Sequence, residues 1–108
     1  MPIHIPVKDN VKLRQILDLV NADEELHQLW RSANVNAIDR AGINDHGEVH
    51  IRIVANAALR LLRLLFEGGI EASVVLHHGL TRDDAEVIVV LAECLHDLGM
   101  VIHREQHE

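Results

Sequence analysis

The fold class this sequence predicts is all-α, a bundle of about five helices, on three observations. Apolar residues return at spacings of three and four over most of the chain. An Asn, Asp or Thr stands ahead of these runs and a glycine follows several of them, which is how helices start and stop. The 48% apolar content is mostly Leu, Val, Ile and Ala, with one Trp, one Phe and no Tyr, material for an aliphatic helical core. At 108 residues the chain suits one domain with one core and is too short for two of ordinary size.

The opening MPIHIPV carries two prolines in an alternating pattern and reads as an extended arm. In NVKLRQILDLV, Val11, Leu13, Ile16, Leu17 and Val20 keep helical spacing, with Asp9 or Asn10 as N-cap. Asn21 with Glu24 has the form of a capping box, and a stripe of Leu26, Leu29, Trp30, Ala33, Ala37 and Ile38 then runs towards Gly42. Asp45 with Glu48 opens the third and longest run, HGEVHIRIVANAALRLLRLLF, which Gly68-Gly69 stops. IEASVVLHHGL has a β-branched centre, yet a lone strand among helices would leave its backbone unpaired, so a short helix is the reading. Thr81 with Asp84 caps RDDAEVIVVLAECLHDL, and Gly99 is expected to end it.

Charge and cysteine content narrow the function classes. A net charge of -7 with ten Lys plus Arg argues against bulk nucleic acid as a partner, because phosphate contacts need a basic face. The single cysteine, Cys94, excludes an internal disulfide framework and suits a reducing compartment, with a small buried apolar group as its plain role. The N-terminus lacks the features of a signal peptide and no apolar run approaches membrane-spanning length, so the expected location is the cytoplasm, with no membrane partner.

Nine histidines raise the question of a metal site. On the long helix, His46, His50, Ile53, Val54, Ala57, Leu61 and Leu64 share one face, which is expected to be the buried stripe. On the last helix Ala85, Ile88, Val89, Ala92 and His96 keep register, with Asp97 beside them. Packed antiparallel, these two helices would place His50 close to His96 and Asp97. Imidazole mixed with carboxylate suits a divalent transition metal such as Mn, Fe, Ni, Zn or Co rather than magnesium.

His103 and His107 add a pair at i, i+4, able to approach one ion from one helical side. HREQH does not match the zinc-protease patterns, which need the glutamate second or fourth, so that class is set aside. Bland readings stand beside these. A lone inward histidine is usually a hydrogen-bonded core residue, His46 could cap its helix or face solvent, and exposed histidines also accumulate in polar tails. His77-His78 before Gly79 read as dipole-favoured residues at a helix end. His4 and His27 carry no site signal.

His50 in HIRIVANAALRLL together with His96-Asp97 in VVLAECLHDLGM resembles the HD superfamily of metal-dependent phosphohydrolases. In that family an isolated histidine opens one helix as H-x-x-x-V-A, matched by His50, Val54 and Ala55. A His-Asp doublet ends another before apolar-Gly, matched by His96, Asp97, Leu98 and Gly99. The resemblance covers roughly residues 43–108 of a single domain spanning 1–108, and DHGEVH and GMVIHREQHE are similar to a prokaryotic branch, with the archaea as one candidate source.

The resemblance implies an HD-type helical domain in which His50, His96 and Asp97 are metal ligands, with His103 and His107 completing a centre of one or two ions. His46 is an additional candidate. His96 and Asp97 would be the catalytic pair, Asp97 bridging metals or orienting water. Arg52 and Arg104 would hold phosphate oxygens, with a solvated helix face as the alternative for each. The implied activity is hydrolysis of a phosphomonoester or phosphodiester, such as a nucleotide.

The family supplies one further aspartate from a later helix, and these 108 residues hold only the H and HD parts. The expectation is therefore the front portion of a longer, truncated protein. The alternative is a catalytically incomplete metal-binding module, or one that forms homo-oligomers through exposed apolar surface.

Overall fold

A computed structural model describes residues 2–36, 47–96 and 98. Among them lie five α-helices and no strand, so the all-α expectation holds. The arm over residues 2–7 is extended as expected, and it is also part of the core. Ile3, Ile5 and Val7 are buried while the residues between them are exposed. Asn21 receives the arm: the Ile3 amide donates to Asn21 Oδ1 at 2.7 Å, and Asn21 Nδ2 donates to the Ile3 carbonyl at 3.0 Å.

Helix α1, Val11–Ala22, starts at Asn10, whose Oδ1 accepts from the Leu13 amide. Helix α2, Glu24–Asn36, follows after one residue. Its cap differs from the expectation. With Asn21 engaged by the arm, Asp23 takes the role, its Oδ1 accepting from the Leu26 amide at 3.0 Å. Glu24 and Glu25 in the first turn complement the helix dipole. The expected continuation through Ala37 and Ile38 to Gly42 lies outside the described residues, as does Asp45.

Helix α3, Glu48–Glu67, has Gly47 as its N-cap residue. At its other end Gly69 takes φ 87°, its amide reaches the Phe66 carbonyl, and the Ile70 amide reaches the Leu65 carbonyl. This pair of bonds ties off the last turn and requires the left-handed residue that glycine supplies. Helix α4, Ser73–His78, is the short helix expected, closed by Gly79 at φ 67° with His77 and His78 in its last turn.

Helix α5, Arg82–Leu95, begins in the expected capping box. The Asp84 amide donates to Thr81 Oγ1, and the Thr81 amide donates to Asp84 Oδ2. It ends earlier than expected, at Leu95, where the Leu98 amide turns back onto the Leu95 carbonyl.

The antiparallel pair α3 and α5 is the centre of the bundle, with α1 against α5, α2 bridging α1 and α3, and α4 beside α5. The core residues are Leu13, Leu17 and Val20 of α1, Trp30 of α2, Ile51, Ala55 and Leu59 of α3, and Val90 and Cys94 of α5, joined by the arm. Each fully buried aliphatic side chain contributes on the order of 1.5–3 kcal/mol.

The expected inward faces are therefore corrected. On α3 the buried residues are Ile51, Ala55, Leu59 and Phe66. The stripe holding His50 flanks them, with Ile53, Ala57, Leu61 and Leu64 exposed and His50 and Val54 half-buried. On α5 the buried residues are Ala85, Glu86, Val90 and Cys94, whereas Ile88, Ala92 and His96 are exposed. Both helices are apolar over more than half their circumference, so period alone offered two faces, and contact with the arm and α1 selected one.

The end of the bundle away from the histidines is joined by a buried ionic network. Arg63 Nε donates to Glu86 Oε2 at 2.8 Å, and the same guanidinium donates to Glu86 Oε1 and to the Pro6 and Val7 carbonyls. Asn10 Nδ2 adds a bond to Glu86 Oε1 at 2.9 Å and one to the Asp83 carbonyl. Burial opposes the charge on Glu86, but the bonds from Arg63 and then Asn10 prevail and hold its pKa below the ordinary value.

Candidate metal centre

The antiparallel arrangement of α3 and α5 brings His50 and His96 together, as expected. His50 lies in the first turn of α3 and His96 caps the end of α5. Their ring centroids are 6.1 Å apart with planes inclined at 52°. His96 is not inward: its side chain is 41% exposed. The pair sits at the mouth of the α3–α5 seam rather than within the core.

Helix α2 holds both helix ends that carry these histidines. His27, Trp30 and Arg31 lie at i, i+3 and i+4, on one side of α2. His27 Nδ1 is 2.8 Å from Glu48 Oε2, and Arg31 Nε donates to Glu48 Oε1 at 3.2 Å, so the start of α3 is fixed two residues before His50. Trp30, fully buried, donates from Nε1 to the Cys94 carbonyl at 2.7 Å. That carbonyl belongs to the last turn of α5, where the helix itself offers no donor.

The other His27 nitrogen, Nε2, meets the Val20 carbonyl at 3.2 Å, and the ring packs edge-on to Trp30 at 4.8 Å. Both His27 nitrogens are thus engaged, one by a carboxylate and one by a backbone carbonyl. Burial opposes the Glu48 charge, yet the His27 bond, reinforced by Arg31, holds its pKa below the ordinary value. Nothing in the sequence pattern marked His27 for this positioning role.

The tautomer of His96 follows from its partner. Nδ1 lies 2.7 Å from the Glu93 carbonyl oxygen, which can only accept, so Nδ1 carries the hydrogen and the lone pair of the neutral ring is on Nε2. In metal-ligating histidines one ring nitrogen usually donates to a carbonyl or carboxylate and the other binds the ion. The Glu93 carboxylate stands 3.7 Å from the same nitrogen. With metal–nitrogen distances of about 2.0–2.1 Å and tetrahedral angles, two imidazoles on one ion have centroids about 5 Å apart, so the observed 6.1 Å is about 1 Å wider than such a pair.

The remaining candidates fall elsewhere. Asp97, His103, His107, Arg104 and His46 lie outside the described residues. Arg52 is two residues beyond His50, and that step carries it to another side of α3. Among the described residues no group of three or more His, Cys, Asp or Glu forms a cation site. Cys94 is buried, and burial, aided by the charge of Glu93, pushes its thiol up to about 11. It is the small buried group expected, not a thiolate ligand. No helix among the described residues is long and apolar enough to cross a membrane.

Over 94 residues, 87% of this chain, the sequence is 36% identical to the uncharacterized protein MJ1020 of Methanocaldococcus jannaschii. The aligned part is 36% of that protein, so the chain spans about a third of the curated relative it matches. No family model matches the sequence. No solved structure matches it at a significant level.

Proposed function

We propose that this chain is a metal-dependent phosphohydrolase domain of the HD type, in which His50, His96 and Asp97 bind a divalent transition metal. The observation that supports it most is the 6.1 Å approach of His50 and His96, from separate helices, at the positions that resemble the family's motif. The Glu93 carbonyl sets the His96 lone pair on Nε2, and the grip of α2 on Glu48 and Cys94 holds the two rings in place. A bound divalent ion would supply a water of lowered pKa and neutralise phosphate charge during in-line attack. Asp97 follows His96 directly and supplies the carboxylate that makes the ligand set suit a transition metal. His103 and His107 extend the set towards a second ion in this reading.

The test measures bound metal in the purified chain and hydrolysis of a generic phosphate ester and a nucleotide panel, beside His50→Ala, His96→Ala and Asp97→Ala. Near-stoichiometric metal in the parent chain and a loss of at least about tenfold in affinity in each variant is the expected result. Metal content that ignores all three substitutions would sink the reading.

A second reading has its own observation. Val49, Ile53, Leu61 and Leu65 are exposed and repeat every fourth residue around the small Ala57. Such a ridge, large at both ends and small in the middle, is self-complementary for two copies of α3 crossing antiparallel. A metal-binding module that dimerises through this ridge would hold metal without turnover. Its mass in solution would double with concentration, and Ile53→Asp would return it to a monomer.

A further inference from the structure

We propose that the chain carries a second ligand site, a pocket between the N-terminal arm and α3 that binds a small phosphomonoester. A cavity of about 480 Å³ opens there, within the size range of small-molecule sites. Its apolar part is Pro6, Ala57 and Leu64, and three cations, Lys8, Arg60 and Arg63, stand on its wall. Lys8 and Arg60 make no hydrogen bond or ion pair among the described residues. Lys8 acts on Glu86 through its charge, but Arg63 already pairs with that carboxylate. In a chain of net charge -7, Lys8 and Arg60 are two cations at one cavity with no hydrogen-bonded partner among the described residues.

The backbone holds one of these cations in a costly conformation. The Asn10 amide donates to the Val7 carbonyl and closes a turn in which Lys8 takes φ 55°, the one non-glycine residue with positive φ among those described. A lysine there is strained, and such strain persists where the surroundings over-determine it. Here the surroundings are clear: Val7 is buried in the core and Arg63 bonds to the Pro6 and Val7 carbonyls.

Two cations match a phosphate monoester, which carries about -1.5 to -2 at neutral pH, better than a carboxylate. Asn56 also lines the cavity, and its Nδ2 donates to the His4 and Arg52 carbonyls. Its Oδ1 is thereby placed to accept from a ligand hydroxyl or N–H. Glu67 on the same wall disfavours a second anionic group. The fitting ligand has one phosphate on an apolar or hydroxylated body. Arg60 is ten residues along α3 from His50, about 15 Å, so this site is independent of the histidine pair.

Phenylphosphonate, which pairs an apolar ring with a non-hydrolysable phosphate mimic, is the probe, titrated by calorimetry and by amide NMR shifts. The expected result is saturable binding with shifts at Lys8 and Asn56, weaker for inorganic phosphate, and unchanged in His96→Ala. Arg60→Gln, on an exposed side chain, weakens it about tenfold or more. Lys8→Gly does the same while suiting the left-handed backbone and leaving the urea midpoint unchanged or higher. Absence of saturation below about 10 mM, equal binding by both folded variants, or loss of binding in His96→Ala overturns the proposal.

Discussion

On α3, the face with Ile51, Ala55, Leu59 and Phe66 is buried, while the face with Ile53, Leu61 and Leu64 stands 56, 59 and 52% exposed. The two differ little in hydrophobicity. What separates them is how much each is covered: the first packs on α5, with α2 and the arm beside it, whereas the second meets the end of α5 at His50 and the rim of the arm at Leu64 and otherwise stands exposed. His50 belongs to the second face and Arg63 to the edge of the first, so one helix carries both a structural ion pair and a candidate metal ligand without the two competing for space. Contrast in burial, rather than in composition, is what distinguishes scaffold from site here.

The largest effect that would break this comparison comes from the buried face. Leu59→Ala leaves a cavity in the centre of the α3–α5 packing and is expected to cost about 2–5 kcal/mol, read from urea unfolding. A cost under about 1 kcal/mol would mean that the buried face is misassigned.

A smaller effect comes from acid. Glu86 and Glu48 have depressed pKa values in the folded chain, so their contribution is complete above the unfolded value of about 4.5 and is lost as pH falls through the folded values. Asp84, lowered from 3.8 to about 2 by the hydrogen bond from Lys12 and the Thr81 amide, adds a loss between those limits. The urea midpoint should fall from pH 4.5 towards 2. Glu86→Gln should lower the midpoint at neutral pH and flatten that slope, and an unchanged slope would remove Glu86 from the account.

Smallest of all is the expected effect on the outer face. Leu61→Ala should change monomer stability by about 0.5 kcal/mol or less, measured at a concentration at which sedimentation shows a monomer. A cost comparable to Leu59→Ala would erase the distinction between the faces.

These same positions show what the sequence could reveal. Helix starts and stops were legible because caps are local: Asn10, the Thr81–Asp84 box, and the glycines at 68–69 and 79 all act within a few residues. Asn21 misled because its partner is Ile3, at the far end of α1, and no short window contains that pairing. Its removal from capping left Asp23 to serve. The His50–His96 approach was legible because antiparallel packing of two long helices leaves little freedom at their ends. The face bearing each histidine was not, since α3 and α5 are apolar over more than half their circumference and only tertiary contact decides between the stripes within that arc. The part played by His27, Trp30 and Arg31 was hidden for the same reason: each acts on a backbone or carboxylate contributed by another helix.

The hydrogen bond from Trp30 to the Cys94 carbonyl has an optical consequence. This chain has one Trp and no Tyr, so its ultraviolet emission comes from a single indole, seated two residues before His96 in the α5 backbone it touches. Shielded from water, that indole emits at short wavelength, and a quenching ion arriving at the histidine end would dim it. The protein thus carries an intrinsic lamp beside its candidate ligands, and metal titrations can be followed by fluorescence with no label attached.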